Sequence, residues 1–269
     1  MKPIARPLLI ETLQAALAAH PDVDAAWEGG SAAFSYRDEL SDVDAVLVVA
    51  DEAIEAVFAA VEAALGALSP IALQHEVTGT AGYRQRFYRL RDCSEFLVLD
   101  LVLIRRSDPL LFREVELHGH GRVWHDRTGV LRETHLDAAQ DLAAARARIP
   151  VLASAFEMFQ HIPTKERLRG RAVEALHFYQ AMTVRPLMEV LRLLHCPARR
   201  GFGPRYLARD LPAEVCRRLE RLSFVRDLED LAEQHAQAQA WFHECLAVLR
   251  SEGPGAWQAQ ATDGQGLRA

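Results

Sequence analysis

The hydrophobic pattern changes period once, near residue 135, and that change restricts the folds open to the chain. Ahead of it, short apolar and β-branched runs alternate with turn residues; behind it, alanine, leucine and arginine recur at helical spacing as far as residue 250. Residues 5–19 predict an amphipathic helix, His20-Pro21-Asp22 a loop, and Ala25–Glu28 a strand closed by Gly29-Gly30. A second strand is expected over Asp44–Ala50, an alanine-rich helix over 51–67, and two more strands over 83–90 and 95–104 in a hairpin around the polar turn Arg91–Ser94. Helices are then expected near 135–160, 165–195, 212–222 and 225–250, enough for an antiparallel bundle. Strands first and helices afterwards predict an α+β chain. Its expected parts are an N-terminal mixed sheet with flanking helices over 1–130, a C-terminal helical bundle over 131–252, and a loose tail over 253–269.

With 269 residues, half of them hydrophobic, the chain can bury a sizeable core. A net charge of -6 argues against wrapping duplex DNA or coating an anionic membrane, so neither nucleic acid nor membrane is an expected partner. Cys93, Cys196, Cys216 and Cys245 are scattered, without a Cys-x-x-Cys pair, and read as reduced thiols. The first twenty residues are too interrupted for a secretory signal, and no apolar run is long enough to span a bilayer; the cytoplasm is the expected location.

The chemistry is concentrated in Gly29-Gly30-Ser31, a gap of ten residues, and Asp42-Val43-Asp44 at the start of an apolar strand. Alternation on a strand projects Asp42 and Asp44 from one face, and two close carboxylates repel unless a cation or a proton lies between them. Magnesium takes hard oxygen ligands and is commonly held by one or two carboxylates plus substrate phosphates. Gly30 lets a backbone approach a phosphate closely, and Ser31 adds a hydroxyl and an amide at an expected helix start. A third carboxylate, Asp100, stands inside the apolar run Phe96–Ile104, where an unpartnered charge would cost several kcal/mol. A metal shared with Asp42 and Asp44 would be such a partner.

These residues, with their spacing, resemble the signature of the DNA polymerase beta-type nucleotidyltransferase superfamily over roughly residues 20–105. The resemblance implies that Gly30 and Ser31 hold a nucleoside triphosphate, that Asp42 and Asp44 bind Mg2+ (two ions in all), and that Asp100 is the third ligand or the general base. Length and a helical second lobe make the chain most similar to the antibiotic nucleotidyltransferases, which act on aminoglycosides or lincosamides. The implied activity is transfer of a nucleoside monophosphate, AMP foremost, to a hydroxyl of a small-molecule acceptor. Two alternatives stay open: a protein-modifying nucleotidyltransferase of a toxin and antitoxin pair, and a silent nucleotide-binding module. A homodimer is compatible with the resemblance and is not argued by these residues.

Weaker signals lie outside this stretch. Arg199, Arg200 and Arg205 cluster in a connection between helices, where guanidinium forks suit phosphate oxygens as well as they suit a solvated loop. His118, His120 and His125 lack regular zinc-ligand spacing, and Arg171 with His177 is only a faint match to small helical ribonucleases. Glu76, Glu95, Glu174 and Glu189 are candidates for attracting a polycationic acceptor, whereas Phe178, Tyr179 and Met182 would suit an uncharged one, with Glu174, Tyr179 and Arg185 as pocket candidates. Neither a P-loop nor a complete Gly-x-Gly-x-x-Gly nor a Gly-x-Ser-x-Gly elbow is present.

Overall fold

The computed structural model describes residues 3–80, 82–107 and 112–257, so the expected loose tail lies outside the described residues from position 258 onward. Two compact units divide between Leu136 and Asp137. Residues 131–136 stay with the first unit because Thr134 bridges Glu114 and the Leu136 amide donates to Glu116. Asp137 then caps the next helix by accepting from the Ala139 and Gln140 amides.

The first unit runs α1 (Arg6–Ala19), β1 (Val23–Glu28), α2 (Gly30–Ala33), β2 (Val43–Val49), α3 (Ile54–Leu68), β3 (Ile71–Val77), β4 (Tyr83–Leu90), β5 (Leu99–Arg105), α4 (Val115–His118) and β6 (Arg122–Asp126). Its six strands lie in the order β3-β4-β5-β2-β1-β6. The sheet is mixed: β2 and β5 are parallel, and the other neighbours are antiparallel. The central strands are the most apolar because both of their faces are covered. One face meets Leu9, Leu13 and Leu17 of α1 and Val57, Phe58, Val61 and Leu65 of α3. The other carries a smaller cluster of Ala25, Trp27, Val48 and Ile104.

Two strands carry too little signal to be expected from sequence. Both β3, with Ala72, Leu73, Gln74 and His75 exposed, and β6, reading Arg-Val-Trp-His-Asp, are sheet edges where alternation blurs. The strand expected over 95–104 begins only at Leu99, because the Leu97 amide turns back to the Ser94 carbonyl and the Val98 carbonyl accepts from Val43. The connection from β4 is therefore longer than the four-residue turn Arg91–Ser94.

The second unit contains α5 (Ala138–Phe159), α6 (His161–Leu168), α7 (Ala172–Tyr179), α8 (Arg185–His195), α9 (Leu207–Asp210), α10 (Ala213–Ser223) and α11 (Leu228–Ser251). It closes on its own core, which includes Phe156, Tyr179, Leu187, Leu191, Leu194, Trp241 and Phe242. The single helix expected over 165–195 is interrupted twice. Gly170 leaves the helical region at φ +71°, and a π-helical turn spans Gln180–Val184. Gln160 serves that turn, its amide donating to the Met182 carbonyl at 2.9 Å while its oxygen accepts from Thr183 at 2.7 Å.

Candidate active site

Asp44 and Asp100 are register partners in the parallel pairing of β2 with β5. Val43, Ala45, Leu47 and Val49, with Leu99, Leu101 and Leu103, enter the core beneath α1 and α3. Strand alternation therefore turns Asp44 and Asp100 to the opposite face, the one that carries Val48 and Ile104. Asp42 is exposed just ahead of β2, and its charge is felt at both other carboxylates. The three aspartates singled out in the sequence are thus brought to one end of the two central strands.

Their electrostatics follow from crowding. Burial, then the charges of Asp100, Asp42 and Glu28, pushes the Asp44 carboxyl up to about 6 against a weaker pull from Arg6. Asp100 is also raised by burial, although Gln85 donates to its Oδ1 at 2.7 Å and holds it back. Partial burial of the Asp42 carboxyl pushes it upward, while the Val98 amide and Arg6 oppose the shift.

The Gly-Ser turn presses on this cluster. A Cβ at Gly30 would lie 1.8 Å from Asp44 Oδ2, and the residue's φ of +54° already favours glycine. The Gly29 amide donates to the Asp44 carbonyl at 2.8 Å, tying the turn to β2 from its other side. Ser31 follows on α2, half-buried. Gly119 supports α2 from below: a Cβ there would meet the Ala33 carbonyl at 2.6 Å, and the His120 amide donates to that carbonyl at 2.8 Å.

The three hard carboxylate groups of Asp42, Asp44 and Asp100 suit a divalent cation by donor chemistry, and their raised proton affinities mark uncompensated negative charge. Among the described residues, however, no three His, Cys, Asp or Glu side chains are placed to hold an ion as they stand. A cation would have to draw the carboxylates in. Sequence reasoning missed Arg6, Glu28, Gln85 and Gly119. Only Glu28 left a trace, as a charge ending the apolar strand Val23–Glu28.

The remaining candidates have other surroundings. In the second unit, Arg199 pairs with Asp210 at 2.7 Å and Arg200 with Asp141 at 2.7 Å, whereas Arg205 stacks on Phe202. Tyr179 is fully buried and donates to the Leu222 carbonyl, which removes it from any acceptor pocket. Of the four glutamates considered for a polycation, Glu76 is held by Arg84 and Arg86 and Glu189 by Arg148, while Glu95 and Glu174 are exposed. His118 pairs with Glu114 and His120 with Glu133, and Arg171 is committed to Glu166.

No protein-family model matches the chain, and no curated sequence is significantly similar to it. Solved structures resemble it loosely. An aminoglycoside 6-adenyltransferase from Bacillus subtilis superposes with a TM-score of 0.40 at 14% identity, covering 98% of both chains. A nucleotidyltransferase-like protein from Exiguobacterium sibiricum 255-15 gives 0.39 at 12% identity, covering 96% of this chain and 80% of the other. Likeness of this extent assigns no residue a role.

Proposed function

We propose that the chain is a divalent-cation-dependent nucleotidyltransferase that moves a nucleoside monophosphate, AMP foremost, from a nucleoside triphosphate to a hydroxyl of a small acceptor. The observation that carries this reading is the register pairing of Asp44 with Asp100 on one face, with Gly30 packed onto Asp44. In this reading Asp42 and Asp44 would hold magnesium, which supplies Lewis-acid stabilisation of charge on the triphosphate. Asp100 is the third ligand or takes the acceptor's hydroxyl proton, a role its raised pKa suits. The acceptor oxygen bonds to the α-phosphorus as the bond to the β-phosphate bridging oxygen breaks, and pyrophosphate leaves. Gly30 makes room for the Asp44 carboxylate beside the turn, and Ser31 would offer its hydroxyl and amide to a phosphate. Of the three arginines considered for nucleotide binding, Arg199 and Arg200 are ion-paired and Arg205 stacks on Phe202, all within their own unit.

The test is mass spectrometry of the full chain incubated with magnesium, each nucleoside triphosphate in turn, and a panel of aminoglycosides and lincosamides. An acceptor mass increased by one nucleoside monophosphate, absent with Asp44→Asn, is the expected result. Triphosphate binding without transfer to any hydroxyl compound would instead support the silent nucleotide-binding module, and a mass gain confined to proteins the protein-modifying alternative.

A further inference from the structure

Behind the carboxylate cluster, on the helix face of the sheet, lies a charged pair that the transfer chemistry does not explain. Glu28 ends β1 opposite Ala45 and is fully buried. One of its oxygens takes the Arg6 guanidinium, and the other, Oε2, is buried without a partner. A half-satisfied buried carboxylate costs stability, so its presence must be weighed against what it holds in place. Arg6 comes from the first turn of α1, whose entry is fixed by the Ile4 amide donating to the Asp92 carbonyl at 2.8 Å. The same guanidinium reaches over the end of β2 and donates to the Asp42 carbonyl, from Nε at 3.2 Å and from Nη2 at 3.0 Å. Nη2 serves both acceptors and Nε adds a second bond to the Asp42 carbonyl, so the rigid fork fixes that peptide from two donors in a plane, a geometry that the flexible point charge of lysine does not reproduce.

We propose that Arg6, anchored by Glu28, is a positioning residue that fixes the Asp42 peptide and thereby the spacing of the Asp42 and Asp44 carboxylates toward a divalent cation. The inference rests on the reading of those carboxylates as the cation site. It makes a prediction of unusual sign. Removing a positive charge beside a cation site should tighten cation binding if charge alone matters, whereas removing a positioning residue should loosen it.

The experiment is Mn2+ binding to the full chain, followed by electron paramagnetic resonance without nucleotide, for the parent, Arg6→Gln, Arg6→Lys, Glu28→Gln and Asp44→Asn, with thermal unfolding to confirm that each is folded. The dissociation constant is expected to rise about tenfold in Arg6→Gln, as for residues that orient metal ligands. It should rise comparably in Arg6→Lys although the charge is kept, and also in Glu28→Gln. Unchanged or tighter binding in Arg6→Gln overturns the inference, and if that variant does not fold, Arg6→Lys decides by the same criterion. Parental affinity in both Arg6 variants, with affinity lost in Asp44→Asn, removes this inference alone. A parent that binds no Mn2+, or an Asp44→Asn protein that binds it as tightly as the parent, removes the cation-site reading and this inference with it.

Discussion

At the scale of single residues the first unit is decided by uncompensated charge. Asp44 carries the largest burden, since burial and three neighbouring carboxylates disfavour its ionised form and raise its pKa to about 6. A carboxyl raised in the folded state contributes stability that is fully present below its unfolded value, near 3.8, and is lost as pH rises through about 6. Asp44→Asn imitates the protonated form at every pH. It should therefore melt higher than the parent at pH 7.5 by about 4 °C, roughly 1 kcal/mol in a unit of this size, and the gap should close towards pH 4. Added Mg2+ should raise the parent's Tm and leave that of Asp44→Asn nearly unmoved. Calorimetry at the two pH values, with and without Mg2+, checks both; a variant less stable than the parent at pH 7.5 would contradict the crowding argument. Asp100 was legible in the sequence for the same physical reason, as a charge where the strand pattern requires an apolar residue. Arg6 was not legible, because an arginine in the first turn of a helix is ordinary until its partner is known.

Among the elements, the Gly-Ser turn and the central strands form one construction. Gly30 is required twice, by its positive φ and by the Asp44 oxygen that occupies the space of a Cβ. Gly30→Ala should push the Asp44 side chain aside, cost about 1–3 kcal/mol of stability, and lower transfer at least as much as Asp44→Asn does. Urea unfolding together with the nucleotide-transfer assay measures both effects, and parental activity in the variant would separate the turn from the chemistry. The alternation of β2 and β5 and the glycine pair were visible in the sequence because burial on one or both faces imposes a strict pattern. The sheet edges were not: β3 and β6 expose polar residues that satisfy a loop equally well. Nor was the division of the long helical stretch, since Gly170 and the π turn at Gln180–Val184 interrupt a periodicity that continues through them. The parallel pairing that sets Asp44 beside Asp100 joins residues far apart in sequence, and no local pattern encodes it.

For the whole molecule the informative fact is that each unit has a core of its own, the first drawn from residues between Leu9 and Ile104 and the second from residues between Ala145 and Leu249. Separate cores predict separable unfolding, and the second unit offers a selective way to perturb it. Arg192 and Asp210 are fully buried against each other at 2.7 Å, and Arg199 also reaches the Asp210 carboxylate. Arg192 further donates to the Gly203 and Arg205 carbonyls, so one guanidinium holds the connection between α8 and α9. Exchanging Asp210 for asparagine keeps the shape but leaves the buried guanidinium without its counter-charge, a loss of about 3–5 kcal/mol. Calorimetry of the full chain should therefore resolve two transitions, and Asp210→Asn should lower one of them by on the order of 10 °C. Added Mn2+ should raise the other, because only the first unit contains the carboxylate cluster. Both perturbations acting on a single merged transition would show that the two cores unfold together, whereas a cation that stabilises the transition lowered by Asp210→Asn would place its binding in the helical unit and count against the carboxylate site.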